Sequence, residues 1–571
     1  SVFGFRPSAF GLRPSKSSAF GLRSSGLGFG MARTDFRAAL QAGPLTPPAA
    51  SARQRGEAEG TRKHCRQHFD NSRLLGRRIG GFGLLGVGFW LLVLSALPGA
   101  GLAQTGAPAP IPSSAAAASP QSPASAGLAN DWLREQASAL NAWDFGGEVR
   151  GRYEDKENAG DGSSSSVDFM KAPPPGQFND NNYFLVRTRV HLGFTPVNWF
   201  TAYVGGRDAY SGGDRRTPPK TEDRYDLEQA WLKLGDPKVF PLTAKVGRQD
   251  LVYGDERMVG RSDWNNLGWR VFDAALLRFE KPVGWVDAFV GRPVMMDPDH
   301  LNEVNHDDWL SGGYASTKSL FPFQESQCYF LAHNVGRQSG GTHPNWLNKP
   351  STPQDTYTMG LRFKSLPNQL KGWDYSFETA GQLGDVQVDG QRLDQVAFAV
   401  MFRGGYTWKK TWCSPRLGIG YDFFSGDDNP QDGHNGTFEP LFPTNHRPLG
   451  LMDLVGPKNI HDPYAALSFQ PAKSVTVALE WHSFWLANAA DYFYSDSGSA
   501  RNSNGYGRHP QWDSYAGSEL DVDASWAIKS WAVLRAGYGH YFVGSYVKDS
   551  LAATGGARDA DWFYAQFTLS F

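Results

Sequence analysis

Two things are scarce in this chain of 571 residues: long apolar runs and cysteine. Mean hydropathy is −0.44. That excludes a bundle of membrane helices, because each would need about 20 predominantly apolar residues. The one uncharged stretch of comparable length runs from Ile79 to Leu97. There are only 3 cysteines, Cys65, Cys328 and Cys413, too few and too far apart in sequence for a disulfide framework. A surplus of positive charge is also missing, with 56 Lys+Arg against 57 Asp+Glu. The first 103 residues hold 14 of those basic and 4 of those acidic groups, so the remainder carries 42 against 53, a net −11. Bulk charge therefore argues against nucleic acid as a partner.

What is plentiful is aromatic residues and glycine: Trp 19, Tyr 21, Phe 37 and Gly 65. At the end of the chain Phe563, Ala565, Phe567, Leu569 and Phe571 alternate with Tyr564, Gln566, Thr568 and Ser570. Successive strand side chains point to opposite faces, so one face is apolar and the other wet. A soluble edge strand shows the same alternation, and a secreted sandwich or propeller is the competing fold. Hundreds of residues of similar segments, closed by an aromatic terminus, instead suggest an all-β transmembrane antiparallel barrel of the bacterial outer-membrane type. Such a barrel hides its membrane character in alternation and collects Trp and Tyr at the two interfaces.

The amino-terminal part reads differently. Residues 1–78 open on Ser1, repeat Ser-Ala-Phe-Gly-Leu-Arg at 8–13 and 18–23, and are rich in Arg. They are expected to be a disordered extension or a mis-called start. Arg77-Arg78, the run from Ile79 and the small residues up to Ala103 have the layout of a signal peptide over 79–103, although the run is also long enough for a membrane helix. Residues 104–142 are expected to be a periplasmic segment. It is rich in Ala, Pro and Ser to 127, with one short helix from Leu128.

From 143 to 571 the sequence reads as strands only. Seventeen amphipathic segments are evident, and the even-number rule for single-chain barrels requires another, supplied by Trp309 to Lys318. Eighteen strands then fit at about 24 residues per strand and connection, a size that leaves an aqueous channel. Tight links such as Lys281-Pro282-Val283-Gly284 should face the periplasm, and the long ones at 154–182, 425–461 and 486–513 the outside. Where one side of a strand is clearly apolar, the other faces the lumen. That puts Arg150, Arg152, Arg187, Arg189, Arg207, Lys245, Arg362, Lys364, Arg403, Arg416 and Arg535 inside, with Glu480 and Asp521 among the inward acids. Arg predominates, and its planar fork suits carboxylates. Such groups either pair with inward acids, as in any porin, or form a path for a polyanion; composition does not separate the two.

Two stretches are more specific. Gly247-Arg248-Gln249-Asp250-Leu251-Val252-Tyr253-Gly254-Asp255-Glu256-Arg257 leads through Asp263-Trp264 to Arg270-Val271-Phe272-Asp273. Tyr421 to Asp427 is followed by Gly436-Thr437-Phe438-Glu439-Pro440-Leu441-Phe442-Pro443-Thr444-Asn445-His446. Both resemble signatures of the alginate-export family of outer-membrane barrels, over essentially 143–571. The resemblance implies eighteen strands and an Arg-lined pore for an anionic polysaccharide. Within the first stretch Arg248, Asp255, Arg257 and Asp273 are expected to form a structural network that fixes an outer loop.

The leading function is accordingly an outer-membrane channel for an anionic polysaccharide or oligosaccharide. Its expected partners are the outer membrane, the cargo and periplasmic export machinery. The alternative is a diffusion porin for small anionic or sugar nutrients. A hydrolase or acyltransferase is more remote, because no compact Ser/His/acid motif stands at a strand end. No cofactor is expected. Asp427, Asp428 and Asp432 have the oxygen density of a Ca²⁺ loop without a complete EF-hand spacing.

Overall fold

The computed structural model describes residues 128–160, 168–216, 221–298, 300–336, 353–444 and 446–571. The expected extension, signal peptide and Ala/Pro/Ser-rich segment lie outside these residues. A short helix, α1 (Leu128–Gln136), leads into the first strand. Asn130 ties the two together, donating to Asp144 at 2.6 Å and accepting from the Phe145 amide at 2.8 Å.

Eighteen wall strands follow. The first six are β1 (Trp143–Glu157), β2 (Asn181–Val197), β3 (Phe200–Gly212), β4 (Asp223–Leu234), β5 (Leu242–Gln249) and β6 (Phe272–Lys281). Next come β7 (Gly284–Met295), β8 (Asp308–Phe321), β9 (Gln324–Val335), β10 (Gln354–Ser365), β11 (Trp373–Val388) and β12 (Gln391–Thr407). The last are β13 (Arg416–Phe424), β14 (Ile460–Ala472), β15 (Val475–Leu486), β16 (Tyr515–Lys529), β17 (Ala532–Val543) and β18 (Ala560–Ser570). Each pairs antiparallel with the next, and β1 pairs with β18 from Glu148↔Ser570 to Glu157↔Asp561. The sheet is thereby closed and has no free edge. Among the described residues no helix is long and apolar enough to cross a membrane.

Alternation sets the two faces. On β2, Phe184, Val190 and Leu192 are 48, 46 and 40% exposed, whereas Arg187 is fully buried. The first set forms the lipid-facing skin and the second projects into the barrel. At the seam, Gly147 exchanges both backbone hydrogen bonds with Phe571, and the Phe571 ring lies 6.1 Å from that of Phe145. A side chain at 147 would run into the Arg189 carbonyl and the Phe571 ring, so only glycine fits there.

The strands-only reading needs one correction. Between β17 and β18 lies a second helix, α2 (Ser545–Leu551). Tyr546, Val547, Ser550 and Leu551 share one face at helical spacing and are buried.

Wall heights vary. β5 has 8 residues and β13 has 9, against 15 in β1 and 17 in β2. A membrane-spanning strand needs about 9–11 residues, so β5 ends partway up the wall. Gly247 lies just before that point at φ 125°, with the Ala230 carbonyl where a side chain would stand. The connections after β5 and β13 leave from these low points and turn inward.

The loop-filled lumen as candidate functional site

Two loops, 250–271 and 425–459, occupy the space that a tube of eighteen strands would leave to water. They bring an apolar core with them. Leu251, Met258 and Val259 from the first, and Phe438, Leu449, Leu451, Met452, Leu454 and Val455 from the second, are each at most 3% exposed. They pack with the wall aromatics Tyr314, Tyr329, Trp562 and Tyr564 in one cluster. Burying such a side chain contributes roughly 1.5–3 kcal/mol, enough in sum to hold both loops inside.

The loops also bind each other. Phe442 accepts from the Gly260 amide at 2.8 Å and donates its own amide to the Met258 carbonyl at 2.8 Å, and the Thr444 amide reaches the Glu256 carbonyl at 2.9 Å. Arg270 donates to the Pro443 carbonyl at 2.7 Å. The two sequence signatures are therefore one structural unit.

The inward arginines meet this unit. Arg150, 3% exposed, donates to the carbonyls of Asp263, Trp264 and Asn265 at 3.1–3.2 Å. Arg187 reaches the carbonyls of Asp263 and Asn265 at 2.9 and 2.8 Å, and also pairs with Glu148 at 2.7 Å. Arg189 pairs with Glu228 at 3.0 Å and with Asp263 at 2.9 Å. Arg152 pairs with Glu154 at 2.7 Å, donates to the Trp264 carbonyl at 2.9 Å and lies 4.0 Å over the Trp264 ring. On its other side Trp264 stacks on His446, 3.9 Å away and 4° from parallel. Four guanidiniums from two neighbouring strands thus converge on the three-residue tip 263–265.

The remaining sequence-predicted cations are spread around the wall. Arg362 and Lys364 hold Asp255 at 2.5 and 2.8 Å. Arg403 holds Asp422 at 2.7 Å, and Arg257 of the loop binds the same carboxylate. Arg207 pairs with buried Asp223, Arg416 with Asp374 at 2.5 Å, and Arg535 with Asp523 at 3.1 Å. Lys245 stands 3.8 Å from Asp250 and 4.4 Å over Trp231. Of the inward acids, Glu480 takes Arg447 at 2.9 Å, and Asp521 accepts the Leu451 amide at 3.2 Å.

The four motif residues separate into two groups. Arg248 and Asp273 pair with each other at 2.8 Å across β5 and β6, whereas Asp255 and Arg257 reach across the lumen to the far wall. Asp427, Asp428 and Asp432 do not converge. Asp427 accepts the amide of Asn429 and Asp432 that of His434, while Asp428 is exposed. No group of three metal-ligating side chains occurs among the described residues. Asp427 and Asp432 each cap their own loop rather than turn to a common point. Cys328 and Cys413 are free thiols.

Sequence reasoning missed Arg447, which bridges Glu480 and Asp523, and Trp269, whose indole N–H donates to Asp263. Arg447 directly follows the second signature, and Trp269 lies inside the first; those positions were the available signal.

A family model described as alginate export matches residues 143–561. The chain belongs to the alginate-export family. It is a bacterial outer-membrane channel and not an enzyme. Similar solved structures include Pseudomonas aeruginosa OccK11 (OpdR), at 12% identity and TM-score 0.44, covering 76% of this chain and 96% of that one. Pseudomonas aeruginosa OccD3 (OpdP) has 12% identity and TM-score 0.47, covering 75% and 91%. Acinetobacter baumannii OccAB1 has 11% identity and TM-score 0.47, covering 75% and 97%. No curated protein matches the chain.

Proposed function

We propose that this alginate-export channel passes an anionic polysaccharide or oligosaccharide of the alginate type, with periplasmic export machinery as its partner. The observation that carries the reading is the convergence of Arg150, Arg152, Arg187 and Arg189 on the tip 263–265. A guanidinium binds a carboxylate through two parallel hydrogen bonds, which suits a chain of uronate residues better than a stream of small neutral solutes. The cations are already desolvated and arranged around carboxylate and carbonyl oxygens, so oxygens from cargo replace like with like. Arg362, Lys364 and Arg403 extend the same chemistry to other parts of the wall.

One observation favours the second reading, a diffusion porin for small anions or sugars: Arg416–Asp374 and Arg535–Asp523 are ordinary wall pairs that neutralise each other. Reversal potentials of the purified channel in a salt gradient separate the two. The polysaccharide reading expects a preference for anions despite the net −11 of residues 104–571, because local field governs passage. A preference for cations removes it.

A further inference from the structure

The tip of loop 250–271 sits among the arginines as a ligand would. The Asp263 carboxylate receives Arg189 Nη1 at 2.9 Å, Arg187 Nη2 at 3.2 Å and the Trp269 indole N–H. The main-chain carbonyl oxygens of residues 263–265 accept six more hydrogen bonds from arginine, three from Arg150, two from Arg187 and one from Arg152. The next residue presents a flat ring between the Arg152 guanidinium and the His446 imidazole. A carboxylate, a row of oxygen acceptors and a flat apolar face next to one another are also the groups that a uronate residue offers: its carboxylate, its hydroxyls and the face of its pyranose ring.

The attachment runs through side chains. Among the described residues, loop positions 261–269 make no backbone hydrogen bond to a wall strand; their backbone amides bond within the loop or to side-chain oxygens such as Glu228. Arginine side chains hold the tip to β1 and β2, the Asn266 side chain behind it donates to the carbonyls of Tyr210 and Thr221 at 3.1 and 2.9 Å, and the Trp264 ring lies edge-on to Tyr564 at 4.9 Å. The Asp263 side chain is also 53% exposed within the lumen.

We propose that the Asp263–Trp264 tip is an internal stand-in for one uronate residue of the cargo, seated where that residue binds and displaced when it arrives. The inference rests on the anionic-polysaccharide reading and goes beyond it by naming a seat, its partners and a resting occupant. The wall cations Arg187 and Arg189 exchange the Asp263 carboxylate for that of the uronate. No covalent step is involved, and the local charge is unchanged.

The test uses the full-length barrel in planar bilayers, with a trimeric uronate and a neutral trisaccharide as blockers. Asp263→Asn removes the competing charge and keeps the shape. The half-blocking concentration of the uronate should fall about tenfold, as expected for the loss of a competitor contributing about 1.4 kcal/mol. Block by the neutral sugar should not change. If the wild-type channel is blocked by the uronate and Asp263→Asn is blocked at the same concentration, the stand-in is overturned and the polysaccharide reading survives. If the uronate blocks neither protein, both fail. Should Asp263→Asn not assemble, tryptophan fluorescence of the wild type decides. Saturating uronate should change the emission, and Trp264→Phe should remove that change. An unaltered change in Trp264→Phe, or none in the wild type at blocking concentrations, overturns the proposal.

Discussion

Val259 and Phe442 pair backbone to backbone as parallel neighbours inside the barrel, although each belongs to a different outer connection. The Phe442 ring lies edge-on to Phe272 at 5.2 Å and to His333 at 4.9 Å, so this one residue joins both loops to the wall. Phe442→Ala should loosen the junction while leaving every wall strand paired. Single-channel records should then show larger or noisier conductance than wild type, with normal barrel yield. Unchanged records would mean that the loops are held by their other contacts alone.

Arg257 and Arg403 share the fully buried carboxylate of Asp422. Arg257→Ala leaves that charge with one partner instead of two, at a cost of about 1–3 kcal/mol. The temperature at which the folded form is lost on unheated detergent gels should fall. The channels that remain should keep wild-type selectivity. A change of selectivity at undiminished stability would assign Arg257 to the cargo path.

Gly147 and Phe571 close the seam between β1 and β18. Gly147→Val drives a branched side chain into the Arg189 carbonyl and the Phe571 ring. Surface levels of assembled barrel should drop several-fold, and Phe571→Ala should give a milder loss because its backbone bonds remain. Normal levels of both variants would show that the seam tolerates repacking.

Asp496 lies in the connection after β15. Burial first, and then the nearby Asp453 carboxylate, push its pKa from 3.8 up to about 7. A carboxyl with a raised folded pKa holds its proton better folded than unfolded, so it disfavours folding progressively as pH rises from about 4 to about 7. Asp496→Asn removes that dependence. The variant should match wild type in heat resistance at pH 4 and exceed it increasingly up to pH 7, with a constant gap above. A gap that is widest at low pH contradicts this assignment.

The wall was legible because alternation is a local signal: Phe184, Val190 and Leu192 face out whatever the rest of the chain does, which puts Arg187 and Arg189 inside. Even the strand without a clear pattern, β8, followed from parity. The inward loops were less legible, because their partners lie far away in sequence. A clue was present in Leu449-Gly450-Leu451-Met452-Asp453-Leu454-Val455, a run too apolar for a loop in water. The signatures marked two stretches that meet inside the barrel, but spacing alone could not reveal that Asp263 meets Arg187 while Asp273 meets Arg248. The acidic stretch Asp427–Asp432 shows the same limit in another form. Oxygen density is visible in sequence, and the direction in which each carboxylate turns is not.

Whether the arginines around the loop tip receive an anionic saccharide is read from current block with matched oligomers. Uronate trimers and neutral trisaccharides of similar size are added to single wild-type channels at low salt, where screening is least. The uronate should block at concentrations well below those needed for the neutral sugar, and its block should weaken as salt is raised. Equal block by both, or uronate block insensitive to salt, would contradict uronate binding at the arginines.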